Sequence, residues 1–183
     1  MPDRLIGLCG YAQVGKDTAA QNMPGWQRAA FADELKEDIQ SLATILGLPH
    51  WKEMTPEQKD IIRPMWVEWG RVTRRLHPDV WTERLWPLLP KTGDAVITDV
   101  RFPNEVRAIQ DMGGIVIWIS RPSYGPANEE EGKYTTDAYR VIFSARFHIS
   151  NNGKPTELGE KVLSMVGWAE SNGLMRPVIN ASL

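Results

Sequence analysis

One segment near the N-terminus, "LIGLCGYAQVGKDTAA" at residues 5–20, constrains the fold of this chain more than any other. The apolar run at its start predicts a buried strand over 4–9. That strand leads through a loop bounded by Gly10 and Gly15 into a helix that begins near Lys16. Parts in this order are typical of a phosphate-binding loop, because the loop N–H groups and the positive end of the helix face the same anion. The alternative is an ordinary strand-to-helix turn.

The residue after the lysine departs from the usual phosphate-binding pattern. A Ser or Thr is expected there; the chain has Asp17, and the hydroxyl follows one place later at Thr18. Two hypotheses remain open. Either Asp17 serves Mg²⁺ or pairs with a nearby cation, or it stabilises the first helical turn while Thr18 reaches the metal or a phosphate.

The rest of the chain alternates predicted strands and helices, which indicates an α/β fold with a largely parallel sheet. Further strands are predicted over 27–32, 95–100, 115–120 and 145–150. Helices are predicted over 34–47 with Asp33 as N-cap, over 103–114 with Pro103 in the first turn, and over 156–171. Two segments are less regular: 48–90 is predicted to be helical with interruptions at Pro64, Gly70 and Pro78, and 121–140 is predicted to be a loop.

Composition limits the class of protein. A chain of 183 residues with 42% hydrophobic and 24% charged residues suits one packed domain, either alone or with a small inserted subdomain. The net charge of −2 gives no support for nonspecific nucleic-acid binding. Cys9 is the only cysteine, which excludes an internal disulfide and a cysteine-rich metal cluster. The N-terminus lacks the layout of a signal peptide and no apolar run approaches the roughly 18 residues that span a membrane, so we expect a cytoplasmic protein.

A carboxylate ends the most clearly predicted buried strand, residues 95–100. Asp99 would lie at the carboxyl edge of the sheet, where open α/β sheets bind ligands, and there it could hold Mg²⁺ through water. The alternative is a helix N-cap or a structural partner of Arg101. Arg101 and Glu105 could also form a local ion pair.

Basic and aromatic residues concentrate in the predicted helical region. The arginines are Arg63, Arg71, Arg74 and Arg75, and the tryptophans are Trp51, Trp66, Trp69, Trp81 and Trp86. Arginine forks suit phosphate and indoles suit stacking on a base. The alternative is a tryptophan core with a solvated arginine face. Lys36, which follows the predicted strand 27–32, is a candidate of the same kind.

The polar segment 121–146 carries Arg121, Lys133 and Arg140. A mobile loop that brings positive charge over a transferring phosphate is the lid of small kinases, and the alternative is a surface loop. The three histidines have no metal-ligand spacing.

Five pieces in this order resemble the deoxynucleoside monophosphate kinases of bacteriophages. They are "GYAQVGKDTAA", "FADELKE", "WGRVTRRLHPDVWTERL", "VITDVRFPNEVRAIQDMGGIVIWISRP" and "HISNNGKPTELGEKV", and together they cover most of residues 4–165. The resemblance implies a P-loop kinase domain over 1–183, with a helical substrate-binding insertion at 48–90 and a lid at 121–146. It also implies ATP-dependent phosphorylation of a deoxynucleoside 5′-monophosphate to the diphosphate, with ATP and Mg²⁺ as cofactors. Family members commonly have Asp at the position of Asp17.

The same resemblance implies roles for individual residues. The ATP phosphates would be held by Gly10, Ala12, Gln13, Val14, Gly15, Lys16, Asp17 and Thr18. The catalytic residues would be Lys16, Asp99, Arg101 and Arg121, and the metal ligands would be Asp17, Thr18 and Asp99. The acceptor would be bound by Asp33, Lys36, Trp69, Arg71, Arg74 and Arg75.

The chain departs from the family pattern at two places. Arg71 stands where a Thr is expected after Gly70, and a His is expected near Tyr134, so neither base preference nor the lid residues follow from the resemblance. Three other activities remain open: another small-molecule P-loop kinase, a kinase acting on modified bases in DNA, and a nucleotide-binding protein without catalysis. A DNA-acting enzyme would need a basic track, which the composition does not show. We therefore expect small nucleotides as partners and neither nucleic acid nor a membrane; a homodimer is left open.

Overall fold

The computed structural model describes residues 1–143 and 147–178. Its strands are β1 (Arg4–Cys9), β2 (Trp26–Ala29), β3 (Asp94–Val100), β4 (Ile115–Ser120) and β5 (His148–Ser150). They form one sheet in the order β2-β3-β1-β4-β5, and every described pairing is parallel. The predicted α/β fold with a parallel sheet is thereby confirmed. The predicted strand 145–150 begins outside the described residues.

The three central strands form the core of the sheet. Each is a nearly continuous apolar run that is buried along most of its length, as expected for strands covered by helices on both faces. In this order β3 lies on one side of β1 and β4 on the other. The connections that follow β1 and β4 therefore run toward opposite edges of the sheet, and the strand order reverses beside the carboxyl end of β1. Open parallel sheets bind ligands at such a point.

The helices are α1 (Lys16–Gln21), α2 (Phe31–Ile45), α3 (Pro56–Leu76), α4 (Val80–Leu85), α5 (Pro103–Asp111), α6 (Glu129–Phe143) and α7 (Pro155–Ser171), with a short 3-10 turn at Trp86–Leu88. The chain divides into two compact units. One, the sheet unit, takes Met1–Ala29 and the chain from Leu88 onward; the other, the helical unit, takes Ala30–Pro87. No helix in the described part of the chain is both long and apolar enough to cross a membrane.

Helix α3 runs through two residues that were expected to interrupt it. It begins at a capping box formed by Thr55 and Gln58 and continues past Pro64 and Gly70 to Leu76. Pro64 removes one backbone hydrogen bond, to the carbonyl of Asp60. Pro64 and Asp60 are both exposed, so water can satisfy the carbonyl that the proline leaves without a donor.

Helix α2 begins earlier than predicted. Its N-cap is Ala30, which has an extended backbone, and Phe31 is the first helical residue. Asp33 is therefore not the N-cap. It lies inside the first turn, where its negative charge still favours the positive end of the helix, and its side chain pairs with Lys36.

Residues 129–140, predicted as part of a loop, belong to helix α6. The buried positions of this helix include Glu131, Thr135 and Ala138, which lie at the i, i+4, i+7 spacing of one helical face. None of these three is a large hydrophobic residue, so these positions form no apolar stripe that predicts a helix from the sequence.

Candidate phosphate-binding site

The loop between β1 and α1 is a tight turn with several positive φ angles. Gly10 and Gly15 have φ values of 143° and 102°, and Gln13 also has a positive φ of 63°. A side chain at Gly10 would meet the carbonyl oxygen of Ile119, and one at Gly15 would meet the side-chain amide of Asn151. Glycine is therefore required at both ends of the loop by conformation and by space.

Lys16 is held inside this loop. The residue is only 8% exposed, and Nζ donates hydrogen bonds to the carbonyl oxygens of Gly10 at 2.7 Å and Tyr11 at 2.8 Å. Burial lowers the pKa of Lys16, and the positive charge of Arg101 lowers it further, while the negative charges of Glu131 and Asp17 act in the opposite direction. The ammonium group is thus oriented by the loop, next to a second cation.

A cleft of about 290 Å³ opens beside the loop. Six of the predicted residues line it: Gln13, Gly15, Lys16, Asp17, Thr18 and Arg121. Arg121 lies over the ring of Tyr124, with its Nη1 3.5 Å from the carbonyl oxygen of Gln13. The structure therefore brings the second half of the predicted loop and the predicted lid arginine to one cleft.

Three further residues line the same cleft and were missed by sequence reasoning: Asn151, Gly153 and Pro155. Asn151 donates from Nδ2 to the carbonyl oxygen of Val14 at 2.8 Å, which fixes the turn after β5 against the loop. The sequence feature that could have identified these residues is the position of "NNGKP" directly after a predicted parallel strand. The carboxyl ends of parallel strands lie at the same edge of the sheet, where ligands bind.

Gly10, Ala12 and Val14 contribute to the loop without lining the cleft. Val14 is completely buried, and the backbone N–H of Ala12 donates to the Glu131 carboxylate at 3.0 Å. The phosphate-binding role predicted for these three residues therefore remains a prediction.

Asp17 is oriented by two partners outside the loop. Its Oδ1 accepts a hydrogen bond from the Thr98 hydroxyl at 2.9 Å and from Nε of Arg28 at 3.0 Å. Pairing with a nearby cation was one of the roles considered for Asp17, and Arg28 is that cation. Within residues 1–143 and 147–178 no three or more His, Cys, Asp or Glu side chains form a group able to hold a metal ion.

The carboxyl end of β3 carries Asp99 and leads into Arg101. Helix α5 begins at Pro103 with Phe102 as its N-cap, so Asp99 is not a helix cap. The buried carboxylate of Glu105 accepts the backbone N–H groups of Arg101 at 2.7 Å and Phe102 at 3.0 Å. These bonds fix the turn from which the exposed Arg101 side chain emerges, close enough to Lys16 to affect its pKa.

The helical unit contains the predicted acceptor-binding residues. Lys36 Nζ lies 3.4 Å from Asp33 Oδ1 and 4.4 Å from the centre of the Trp51 ring. The indole N–H of Trp51 donates to Glu37 at 2.9 Å. Asp33 and Lys36, predicted separately, therefore form one half-buried cluster with an aromatic ring.

A second polar cluster in the helical unit was not predicted. Asp38 accepts two hydrogen bonds from Nη1 of Arg84, at 2.6 Å and 2.7 Å, and one from the indole N–H of Trp69 at 3.0 Å. Arg84 also donates to Glu34 at 3.2 Å. The cluster ties α2, α3 and α4 together and fixes the ring plane of Trp69.

The predicted arginines of α3 differ in their surroundings. Arg71 pairs with Glu68 at 3.0 Å, and Nη1 of Arg74 donates to the carbonyl oxygen of Gly70 at 2.9 Å. Arg75 is exposed in the last helical turn. Their binding of an acceptor phosphate remains a prediction.

Comparison with known proteins shows a similar fold in a kinase of known structure and a similar sequence in a viral relative. The fold is similar to that of the shikimate kinase from Aquifex aeolicus vf5, with a TM-score of 0.55 and 17% identity over 92% of this chain and 99% of that one. No protein-family model matches the chain. A protein of Acanthamoeba polyphaga mimivirus, "Putative deoxynucleotide monophosphate kinase", is 31% identical in an alignment that covers 88% of this chain and 95% of the relative. With that identity over most of both chains, the protein belongs to the same family as this mimivirus relative.

Proposed function

We propose that this protein transfers the terminal phosphoryl group of ATP to the 5′-phosphate of a deoxynucleoside monophosphate. The observation that carries the proposal is the loop at residues 10–18, in which two glycines with no room for a side chain are followed directly by a buried lysine. Membership in the family of the mimivirus relative, whose name includes deoxynucleotide monophosphate kinase, supports the choice of acceptor.

The loop fits a polyphosphate by its chemistry. Gln13, Gly15, Lys16 and Thr18 face the cleft with backbone N–H groups, one ammonium and one hydroxyl nearby, and groups of this kind stabilise phosphate oxygens. Lys16 already makes hydrogen bonds to loop carbonyls, so little side-chain entropy is lost when it turns to a phosphate. Arg121 adds a second cation at the same cleft.

The side chains also fit Mg²⁺. In kinases this ion is usually bound by one or two carboxylates together with substrate phosphates and water, and no larger cluster of carboxylates is needed. We assign Thr18, Asp17 and Asp99 to this role, and Mg²⁺ when bound neutralises charge on the transferring phosphoryl group.

The proposed chemistry needs no strong general base, because an acceptor phosphate is already ionised at neutral pH. Positioning and charge neutralisation then provide most of the rate. Lys16, Arg101 and Arg121 would stabilise the charge that spreads over the transferring group. Arg75 and Arg74 in the last turn of α3 would bind the acceptor phosphate, with Asp33, Lys36 and Trp69 nearby on the helical unit.

An ADP-release assay tests the proposal. Purified protein is incubated with Mg-ATP and with each deoxynucleoside monophosphate, each ribonucleoside monophosphate and, as unrelated acceptors, shikimate and dephospho-CoA. We expect ADP formation that at least one deoxynucleoside monophosphate stimulates, and its loss in Lys16→Ala. Stimulation by an unrelated acceptor alone would leave a P-loop kinase with another substrate, and stimulation by none would remove the proposal.

A further inference from the structure

Glu131, in the first turn of α6, makes a contact that the proposed chemistry does not use. The residue is 8% exposed. Oε1 accepts the backbone N–H of Ala12 in the phosphate-binding loop at 3.0 Å, and Oε2 accepts the backbone N–H of Ala127 at 2.7 Å. One buried carboxylate therefore joins the loop to the start of a helix 119 residues away in the sequence.

The start of α6 is fixed at more points than this one. The side chain of Asn128 accepts the N–H of Glu131 at 2.8 Å, as an N-cap does. Three residues further along, the ring of Tyr134 packs 4.8 Å from that of Phe102, the residue after Arg101. The helix thus contacts both the phosphate-binding loop and the turn that carries the proposed catalytic arginine.

The carboxylate of Glu131 could either occupy the place of a phosphate oxygen or support the loop from outside the cleft, and its position distinguishes these two roles. A carboxylate that imitated a phosphate oxygen would accept from the N–H groups that face the cleft. Ala12 does not line the cleft, whereas Gln13, Gly15 and Thr18 do. The carboxylate therefore binds the loop at Ala12, outside the cleft. The residues from Gln13 onward that line the cleft stay accessible to an anion.

The charge of Glu131 supports the same interpretation. Placing a negative charge near a polyphosphate site opposes binding by Coulomb repulsion. The carboxylate is retained next to Lys16, whose charge it favours, and two backbone N–H groups compensate its burial. Besides this electrostatic effect on Lys16, the carboxylate acts on the loop geometrically, through its hydrogen bond from the N–H of Ala12.

We propose that Glu131 is a positioning residue that sets the conformation of the phosphate-binding loop and couples nucleotide binding to the order of α6. The inference rests on the nucleotide site of the proposed function. Because coupling between two sites is reciprocal, if an ordered start of α6 strengthens nucleotide binding, bound nucleotide stabilises the ordered start of α6 by the same free energy.

Three variants test this role. Glu131→Ala removes both hydrogen bonds, and Glu131→Gln keeps an oxygen for Ala12 while placing an N–H against that of Ala127. Glu129→Gln is the matched control, because it removes the same charge from an exposed position in the same helical turn. Circular dichroism establishes that each variant is folded, and if Glu131→Ala does not fold, the comparison of Glu131→Gln with wild type decides the test.

Two measurements are made on each variant. Amide hydrogen exchange without ligand should be at least about tenfold faster at Ala12 in Glu131→Ala, since a lost hydrogen bond of about 1.4 kcal/mol corresponds to that factor. Calorimetry with ADP should show about tenfold weaker binding, with Glu131→Gln between wild type and Glu131→Ala. Added ADP should slow exchange over 127–135 in wild type and not in Glu131→Ala, while Glu129→Gln should match wild type within about twofold.

Several results would overturn the inference. Tighter ADP binding in Glu131→Ala would mean that the carboxylate competes with phosphate, and unchanged exchange at Ala12 would mean that it does not hold the loop. An equal effect in Glu129→Gln would mean that loss of negative charge from this helical turn, and not loss of the Glu131 hydrogen bonds, causes the change. Failure of the proposed function is a separate outcome: a wild-type protein that phosphorylates no deoxynucleoside monophosphate still gives the ligand-free exchange result at Ala12.

Discussion

Replacing Asp17 with Ala tests the most unusual residue of the proposed phosphate-binding loop. The substitution removes the acceptor of the Thr98 hydroxyl and the partner of Arg28. Thr98 is only 1% exposed, so its hydroxyl loses a hydrogen bond in a place that water does not reach in the native protein. The Asp17 side chain is 62% exposed, so its ion pair with Arg28 lies in solvent.

The two contacts contribute very different free energies. An exposed ion pair contributes about 0.2–1 kcal/mol, whereas a buried hydroxyl left without a partner costs about 1–3 kcal/mol. The lower part of the second range applies, because water can enter the exposed space that the carboxylate leaves. We therefore expect Asp17→Ala to lower the free energy of unfolding by about 2 kcal/mol. Asp17→Asn keeps an oxygen for Thr98 and should lower it by less than about 1 kcal/mol.

Urea denaturation, monitored by circular dichroism, measures the free energy of unfolding of both variants and of wild type. A Mg²⁺ titration of ATP turnover in the same two variants measures whether Asp17 serves the metal. If Asp17 serves the metal, both variants raise the Mg²⁺ midpoint, although only Asp17→Ala is strongly destabilised. An unchanged midpoint in both would assign the metal to Thr18 without Asp17. Stability of Asp17→Ala within about 0.5 kcal/mol of wild type would refute the reasoning from the Thr98 hydroxyl.

Three further predictions concern the proposed reaction. Lys16→Ala should lower turnover at least about a hundredfold, or roughly 2.7 kcal/mol of transition-state stabilisation, and near-normal turnover would contradict the loop assignment. Arg75→Ala should weaken deoxynucleoside monophosphate binding far more than ATP binding by calorimetry. Arg75→Lys should not fully restore it, because lysine lacks the planar fork; equal acceptor affinity in a folded Arg75→Ala protein would count against the role. Burial and the charge of Arg101 lower the pKa of Lys16 from 10.5, so kcat/KM for ATP should fall with rising pH below that value, as Lys16 loses its proton. Arg101→Gln removes a repulsive charge and should move this decline to higher pH; a decline that stays in place would contradict the proximity of the two cations.

The sequence alone determined the central strands and the loop backbone, because both depend on local chemistry. Strands β1, β3 and β4 are short apolar runs that only a buried sheet accommodates. The loop needs glycine at Gly10 and Gly15 to reach positive φ. The fold class follows from the alternation of such strands with helices.

The sequence predictions were wrong for helices whose extent depends on the residues and solvent that surround them. The buried side chains described for helix α6, Glu131, Thr135 and Ala138, form no stripe of large apolar residues. Helix α3 continues through Pro64 because the freed carbonyl is exposed to water. The start of α2 at Phe31, ahead of Asp33, follows from the burial of that phenylalanine.

The contacts that orient the candidate site come from the tertiary structure. Asp17 and Thr98 are separated by 81 residues, Ala12 and Glu131 by 119, and Val14 and Asn151 by 137. No local pattern pairs residues so far apart. They meet because the strand order β2-β3-β1-β4-β5 brings the carboxyl ends of sequence-distant strands, and the helix between β4 and β5, next to one loop. Sequence periodicity records which residues are buried along each element, whereas the order of elements in the sheet decides which buried groups face one another.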